Sequence, residues 1–277
     1  MKYLYSLIKL IILLVLVNIF KEGSLIFFEI IAQIIDPESI NRIYDLEMVF
    51  RLLTTIGAIL GVIIFVKLIW KKDMEYIGFE KKNGLNVFLK GFTIGFILFS
   101  SILLILIFLG AVKFKGINSS FSIFYIFLFL IGFIIQSTSE EIVVRGALTK
   151  LIFERFGKWI SILVPAFYFG FMHINNPGVT GISTLNTFLV GIIFGLLLYH
   201  DNIYLPIGFH SAWNFFQGPF YGLNISGIEM PSNVLDFEII NQKLAGGFYG
   251  IEASLVTTVL FIALIIYLFI KEKDKAY

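Results

Sequence analysis

The stretch Ile134-Ile135-Gln136-Ser137-Thr138-Ser139-Glu140-Glu141-Ile142-Val143-Val144-Arg145-Gly146 decides how the chain is read. Three ionisable groups follow directly on an apolar run that opens at Phe121. A charge at the centre of a membrane helix costs about 2.5–3.5 kcal/mol on insertion scales, so such groups persist where they pair or work. The plainer alternative is a span that ends near Ser137, with the charges forming an interfacial cap. Helix geometry separates the two acids. At about 100° per residue, Glu141 and Arg145 stand four apart and share a face, while Glu140 lies about 100° from Glu141. Pairing with Arg145 lowers the cost of burying both groups. It leaves Glu140 without a sequence-local partner, and a buried carboxylate of that kind suits general-base work.

Composition places the stretch in a membrane. The chain has 277 residues, of which 58% are hydrophobic and 14% charged, and Phe alone occurs 32 times. A soluble domain carries roughly a quarter charged residues, and the mean hydropathy of +0.92 leaves too little polar surface to cover a soluble fold. A secreted enzyme, a nucleic-acid-binding module and a disordered scaffold are excluded. Cysteine is absent, which removes disulfides, thiolate zinc sites and cysteine nucleophiles.

We therefore expect an all-α fold, a polytopic transmembrane helix bundle of about eight spans, forming one integral membrane domain over residues 1–277. A crossing needs about 20 apolar residues. The candidates are Tyr3–Phe20, Val49–Trp70, Val87–Val112, Phe121–Ser137, Trp159–Ile174, Ile182–His200, Leu205–Tyr221 and Ile251–Ile270. The first resembles a signal peptide but lacks a small-residue cleavage site. It reads as a retained span followed by Lys21-Glu22-Gly23, with Leu25–Ile35 either extending it or lying at the interface. Leu223–Phe248 reads as an outer loop. Four GxxxG spacings, Gly57/Gly61, Gly91/Gly95, Gly191/Gly195 and Gly246/Gly250, suit close helix packing. They also leave room for a homo-oligomer.

With both termini in the cytoplasm of a cell-membrane protein, twelve Lys and Arg residues fall in inner segments and six in outer ones, Arg42 and Lys275 among those counted. That excess sets the orientation. It puts the Phe156-Gly157 turn and the Asp201–Tyr204 loop inside, and predicts a site open to the cytoplasm.

The remaining polar residues converge with Glu140. His173 closes an apolar helix, and Asn214 follows His210 by four, on the same face. If a helix runs from Glu140 to a turn at Gly157, Glu140 is 17 residues before the turn and His173 is 16 after it. An antiparallel pair brings them level. His210, soon after a short inner loop, is expected nearer the cytoplasmic face. Level placement requires a re-entrant loop or a protruding hairpin.

Glu140-Glu141-xxx-Arg145, Phe169-xxx-His173 and His210-xxx-Asn214, in that order, resemble the three motifs of the CAAX protease and bacteriocin-processing family, which includes the Ras-converting endopeptidases. The resemblance covers Gly132 to Gln217, a catalytic core of 132–217. It implies an intramembrane endopeptidase acting on a membrane-associated peptide or protein. It further implies that Glu140 and His173 activate a water, that His210 and Asn214 form the oxyanion hole, and that Glu141 and Arg145 are a structural pair. The favoured mechanism uses no cofactor. The alternative is zinc held by Glu140, His173 and His210, although no His-Glu-xx-His spacing exists here. A non-catalytic immunity or scaffold protein and a proton-coupled carrier are the competing classes. Four retained polar positions argue against the first, and the lack of an internal repeat against the second.

Overall fold

Gly157 breaks the longest apolar stretch of the chain in two. In the computed structural model, which describes residues 2–35 and 44–274, this glycine takes φ 75° and ψ −174° inside an otherwise helical run. L side chains avoid that region, so the glycine turns the chain back where the sequence suggested. Arg42 and Lys275 lie outside the described residues.

The architecture is all-α and polytopic. Helix α1 covers Lys2–Ile35, α2 Tyr44–Leu53, α3 Ile56–Ile64, α4 Gly84–Phe108 and α5 Ile123–Glu141. Then come α6 (Thr149–Met172), α7 (Gly181–His200), α8 (Tyr204–Phe215), the single turn α9 (Gln242–Ala245) and α10 (Leu255–Asp274). Five stretches among the described residues are long and apolar enough to cross a membrane; that of 50 residues, Ile123–Met172, folds back at Gly157, and Leu255–Lys271 is a shorter apolar helix.

Each of the eight expected spans contains helix, with three amendments. The first is that α1 does not stop at Phe20. It runs on through Lys21, Glu22 and Gly23 to Ile35, about 51 Å at 1.5 Å per residue. No Pro interrupts it, and Gly23 costs a helix only about 1 kcal/mol. The second is that Val49–Trp70 is broken at Thr54-Thr55, whose hydroxyls donate to the carbonyls of Arg51 and Leu52. The third concerns α8. It is too short to cross alone, where the span Leu205–Tyr221 was expected, and Leu205–Phe215 are buried throughout, so it faces protein.

Close backbone approach positions α8. A Cβ at Gly91 would stand 2.1 Å from the Leu205 carbonyl oxygen, and one at Gly95 2.4 Å from that of Phe209. Gly208 returns the contact, 2.1 Å from the Phe88 carbonyl oxygen by the same measure. Gly57/Gly61 and Gly191/Gly195 do the same for α1–α3 and α6–α7. The Gly246/Gly250 spacing is different: both take positive φ in the connection before α10 and pack no helix pair.

Two segments expected to be irregular pair with each other. Strand β1 (Val112–Ile117) runs antiparallel to β2 (Leu235–Ile239), so part of the Leu223–Phe248 loop is sheet. It covers the end of the bundle opposite Gly157. At the Gly157 end, Arg155 Nε donates to Ser6 Oγ at 2.8 Å, and the Trp159 and Phe269 rings meet at 5.3 Å. The start of α1 and the end of α10 therefore lie together there.

Candidate active site

A buried ion pair forms the base of the site. Glu141 ends α5, and Arg145 follows on a π-helical turn, Ile142–Leu148, a local widening that recurs at functional positions. The two side chains are 0% and 1% exposed, with Arg145 Nε 3.2 Å from Glu141 Oε2. Arg145 also donates to Glu141 Oε1 at 3.3 Å and to the Gly191 carbonyl at 3.4 Å. Its guanidinium lies 4.3 Å from the centre of the Phe169 ring and 5.0 Å from that of Phe194. Ionic and aromatic contacts together replace the water such a group loses on burial.

The same carboxylate holds His210. Its Nδ1 stands 3.0 Å from Glu141 Oε1. A carboxylate already bound to a guanidinium only accepts, so the network assigns the proton to Nδ1. Nε2 then faces Glu140, 3.9 Å from its Oε2. The His210 ring stacks on Phe194 at 5.1 Å. His210 comes level with Glu140 because the α5–α6 hairpin stands proud of the α7–α8 connection. Ile203, fully buried in that connection, packs at Gly146, eleven residues short of the Gly157 turn.

Glu140 does have a local partner. Gln136, one turn earlier, donates Nε2 to Glu140 Oε1 and accepts from Asn214 Nδ2 at 3.0 Å. The i, i+4 spacing was in the sequence, and it links the two motifs that Glu140 and Asn214 represent. Glu140 Oε2 is buried with no hydrogen-bond partner among the described residues. His173 caps α6 and turns its Nδ1 to the Phe169 carbonyl at 2.8 Å. A carbonyl only accepts, so Nδ1 carries the proton and Nε2 keeps its lone pair. Glu140, His173, His210, Asn214 and Gln136 all line one cavity of about 320 Å³.

Residues 121–216 match the model of a family described as type II CAAX prenyl endopeptidase Rce1-like. That segment is similar to the Rce1-like family. It takes in Glu140, Glu141, Arg145, His173, His210 and Asn214. The family indicates a protease. No curated protein matches the chain.

Beyond the Rce1-like segment, two more charged residues line the cavity, Lys21 and Glu252. Neither was singled out in the sequence: Lys21 followed the first span, and Glu252 fell unremarked within Ile251–Ile270. Glu252 precedes α10 and accepts from Trp213 Nε1 at 3.1 Å, from the Ser226 amide at 2.6 Å and from its hydroxyl at 2.9 Å. Trp213 sits between His210 and Asn214 in sequence, so Glu252 ties α8 to the turn at Ser226. Burial pushes the Glu252 carboxyl above its ordinary range, against the donors of Ser226 and Trp213.

The position of the cavity corrects one expectation. Its lining runs from the depth of Glu140 through Asn176 to Ile225, Ile228 and Met230, and includes no residue of the Gly157 turn. It therefore extends toward the end of the bundle that β1 and β2 cover, away from the end holding Gly157 and Asp201–Tyr204. A site open on the Gly157 side is not what the helices build. The same geometry bears on zinc. Among the described residues no three His, Asp or Glu side chains form a metal-holding group. Glu140, His173 and His210 share the cavity without converging as ligands, and as placed they do not fit the ion.

Proposed function

We propose that this chain is an intramembrane endopeptidase that hydrolyses a peptide bond of a membrane-associated peptide or protein. Water bound between Glu140 Oε2 and His173 Nε2 attacks the scissile carbonyl carbon while Glu140 takes its proton. The carbonyl oxygen becomes an oxyanion. Asn214 has a second amide N–H beyond the one given to Gln136, and it donates that to the oxyanion. His210 donates from Nε2 in its doubly protonated form. Glu140 and Glu141 then face one imidazolium and one guanidinium, so the buried cluster is neutral overall. When the intermediate collapses, the C–N bond breaks and Glu140 returns its proton to the leaving amine. A new carboxylic acid and a new amine result, the acid giving its proton to the amine or to water on release, and the enzyme is unchanged.

The observation that carries this reading is Glu140 Oε2, a buried carboxylate oxygen without a hydrogen-bond partner among the described residues, on a cavity shared with two imidazoles and an amide. Peptides from membranes of wild-type cells and of cells carrying Glu140→Gln, compared by mass spectrometry, supply substrates. Purified wild-type protein should cleave them. Glu140→Gln should not, while unfolding at a similar temperature. Wild-type turnover by Glu140→Gln would remove it as the base. Activity should also survive thorough chelation. Stoichiometric zinc, with activity lost on chelation and restored by the metal, would overturn the metal-free mechanism and leave the peptidase.

A further inference from the structure

Lys21 is in the wrong place for a loop residue. Because α1 continues to Ile35, Lys21 lies inside a helix between the apolar runs Ile11–Phe20 and Leu25–Phe28. Its depth follows from one contact. Arg155 and Ser6 are hydrogen-bonded, which fixes a common level for α1 and the α5–α6 hairpin. Lys21 is 15 residues beyond Ser6, and Glu140 is 15 residues before Arg155. At 1.5 Å per residue Lys21 stands about 22 Å from that contact, and Glu140 a few ångströms less because Ile142–Leu148 is π-helical. The cation is thus within about a turn of the glutamate's level.

It is also held toward the same space. Gly57 packs on the carbonyl of Phe20, and Ser24 Oγ donates to the carbonyl of Thr54. These contacts on both sides of Lys21 fix α1 against the α2–α3 junction, whose Met48 and Leu52 line the cavity with Lys21. No ion pair or hydrogen bond to Lys21 Nζ is found among the described residues. Lys21 is the one Lys or Arg among the lining residues, and Met48, Leu52 and Phe133 supply apolar wall beside it. Lys21 is itself exposed, and its ammonium offers three donors and no acceptor to an anion that enters the cavity.

We infer that Lys21 is an anion subsite of the cavity, and that it takes a carboxylate of the peptide substrate near the scissile bond. This rests on the endopeptidase reading. The carboxylate comes from the substrate's chain end or from an Asp or Glu side chain. A lipid phosphate has similar chemistry and is the competing source.

The test uses three labelled apolar peptides of one sequence: a free acid, its C-terminal amide, and the amide with one added Glu. Binding is measured to full-length Glu140→Gln protein in phosphatidylcholine vesicles, so that no turnover intervenes. At least one carboxylate peptide should bind about tenfold tighter than the amide, the step that a pairing of about 1.4 kcal/mol produces. Adding Lys21→Met should erase that difference, and Lys21→Arg should keep it. Binding of the amide by the Lys21→Met protein shows that it is folded. Equal affinity for acid and amide in the Lys21-containing protein would overturn the subsite. So would a preference that survives Lys21→Met. A Lys21-dependent effect seen only with phosphatidylglycerol vesicles, whatever the peptide end, would assign the anion to lipid and likewise overturn it. Acid-selective binding through Lys21, in a protein whose Glu140 form cleaves nothing, would sustain the subsite and sink the peptidase reading alone.

Discussion

Glu141 serves two residues, and its variants should separate the two roles. It pairs with Arg145 and it holds Nδ1 of His210. Arg145→Ala strips the guanidinium from a buried carboxylate and leaves it only the His210 contact; breaking a buried pair typically costs about 3–5 kcal/mol, and denaturant unfolding in detergent measures it. Glu141→Gln with Arg145→Gln removes both charges and should recover part of that stability. It should not recover turnover, because His210 then has a neutral amide at Nδ1 in place of the carboxylate. Recovery of both would mean that Glu141 has no part in placing His210. Asn214→Ala should lower kcat by about 100- to 1,000-fold, the usual cost of one oxyanion donor. Steady-state kinetics that show only a raised KM would assign Asn214 to binding. Glu252 gives a pH prediction. Its carboxyl is raised by burial, so the folded protein binds this proton more tightly than the unfolded chain. Its stabilising contribution is complete below the ordinary carboxylate range and is lost as pH rises through the raised value. The Tm of wild type should therefore fall with rising pH relative to Glu252→Gln. A difference independent of pH would contradict the shift.

Helix α8 carries two of the candidate catalytic side chains, and its place depends on glycines of another helix. Gly95 allows α4 to touch the Phe209 carbonyl, and Phe209 precedes His210. Gly95→Ala puts a methyl carbon 2.4 Å from that oxygen. The neighbour is backbone, so the helices must part. Overpacking of this kind typically costs about 1–3 kcal/mol. The displacement also moves His210 against Glu141, so kcat should drop by more than the stability change alone explains. Gly132→Ala is the control, since it meets only the Leu52 side chain. If Gly132→Ala costs as much turnover as Gly95→Ala, the α4–α8 contact does not set the site. The π-helical turns at Ile142–Leu148 and Phe216–Phe220 flank the same elements. The first carries Arg145, and the second begins two residues after Asn214.

At the scale of the molecule, the two ends of the bundle differ. The Gly157 end gathers the start of α1 and the end of α10, and the excess of basic residues there favours a cytoplasmic position. The cavity extends the other way, toward β1 and β2. The chain has no cysteine, so single cysteines report directly. Phe156 and Val179, both exposed, lie at opposite ends of the α6 pass. Phe156→Cys should react with an impermeant thiol reagent only from the cytoplasm, and Val179→Cys only from outside. The opposite pattern would invert the orientation and turn the cavity toward the cytoplasm.

The amino-acid order by itself determined the elements. Apolar runs of crossing length, a glycine at 157 and i, i+4 spacings are local properties, and local geometry reads them: the turn at Gly157 and the Glu141–Arg145 pair were legible in this way. The spacing of Gln136 and Glu140 was equally local and went unread because Gln carries no charge to draw attention. Other features depended on partners far along the chain. Lys21 looked like the end of a span until α1 was seen to continue against Gly57 and Thr54. Glu252 gained its meaning from Trp213 and Ser226, and β2 from β1. The depth of His210 followed from how far the α5–α6 hairpin overtops Ile203. Helix formation is set by nearest neighbours and the solvent around them. The direction a cavity faces, and which charges share it, is set by packing between segments tens to over a hundred residues apart, and only the tertiary structure decides that.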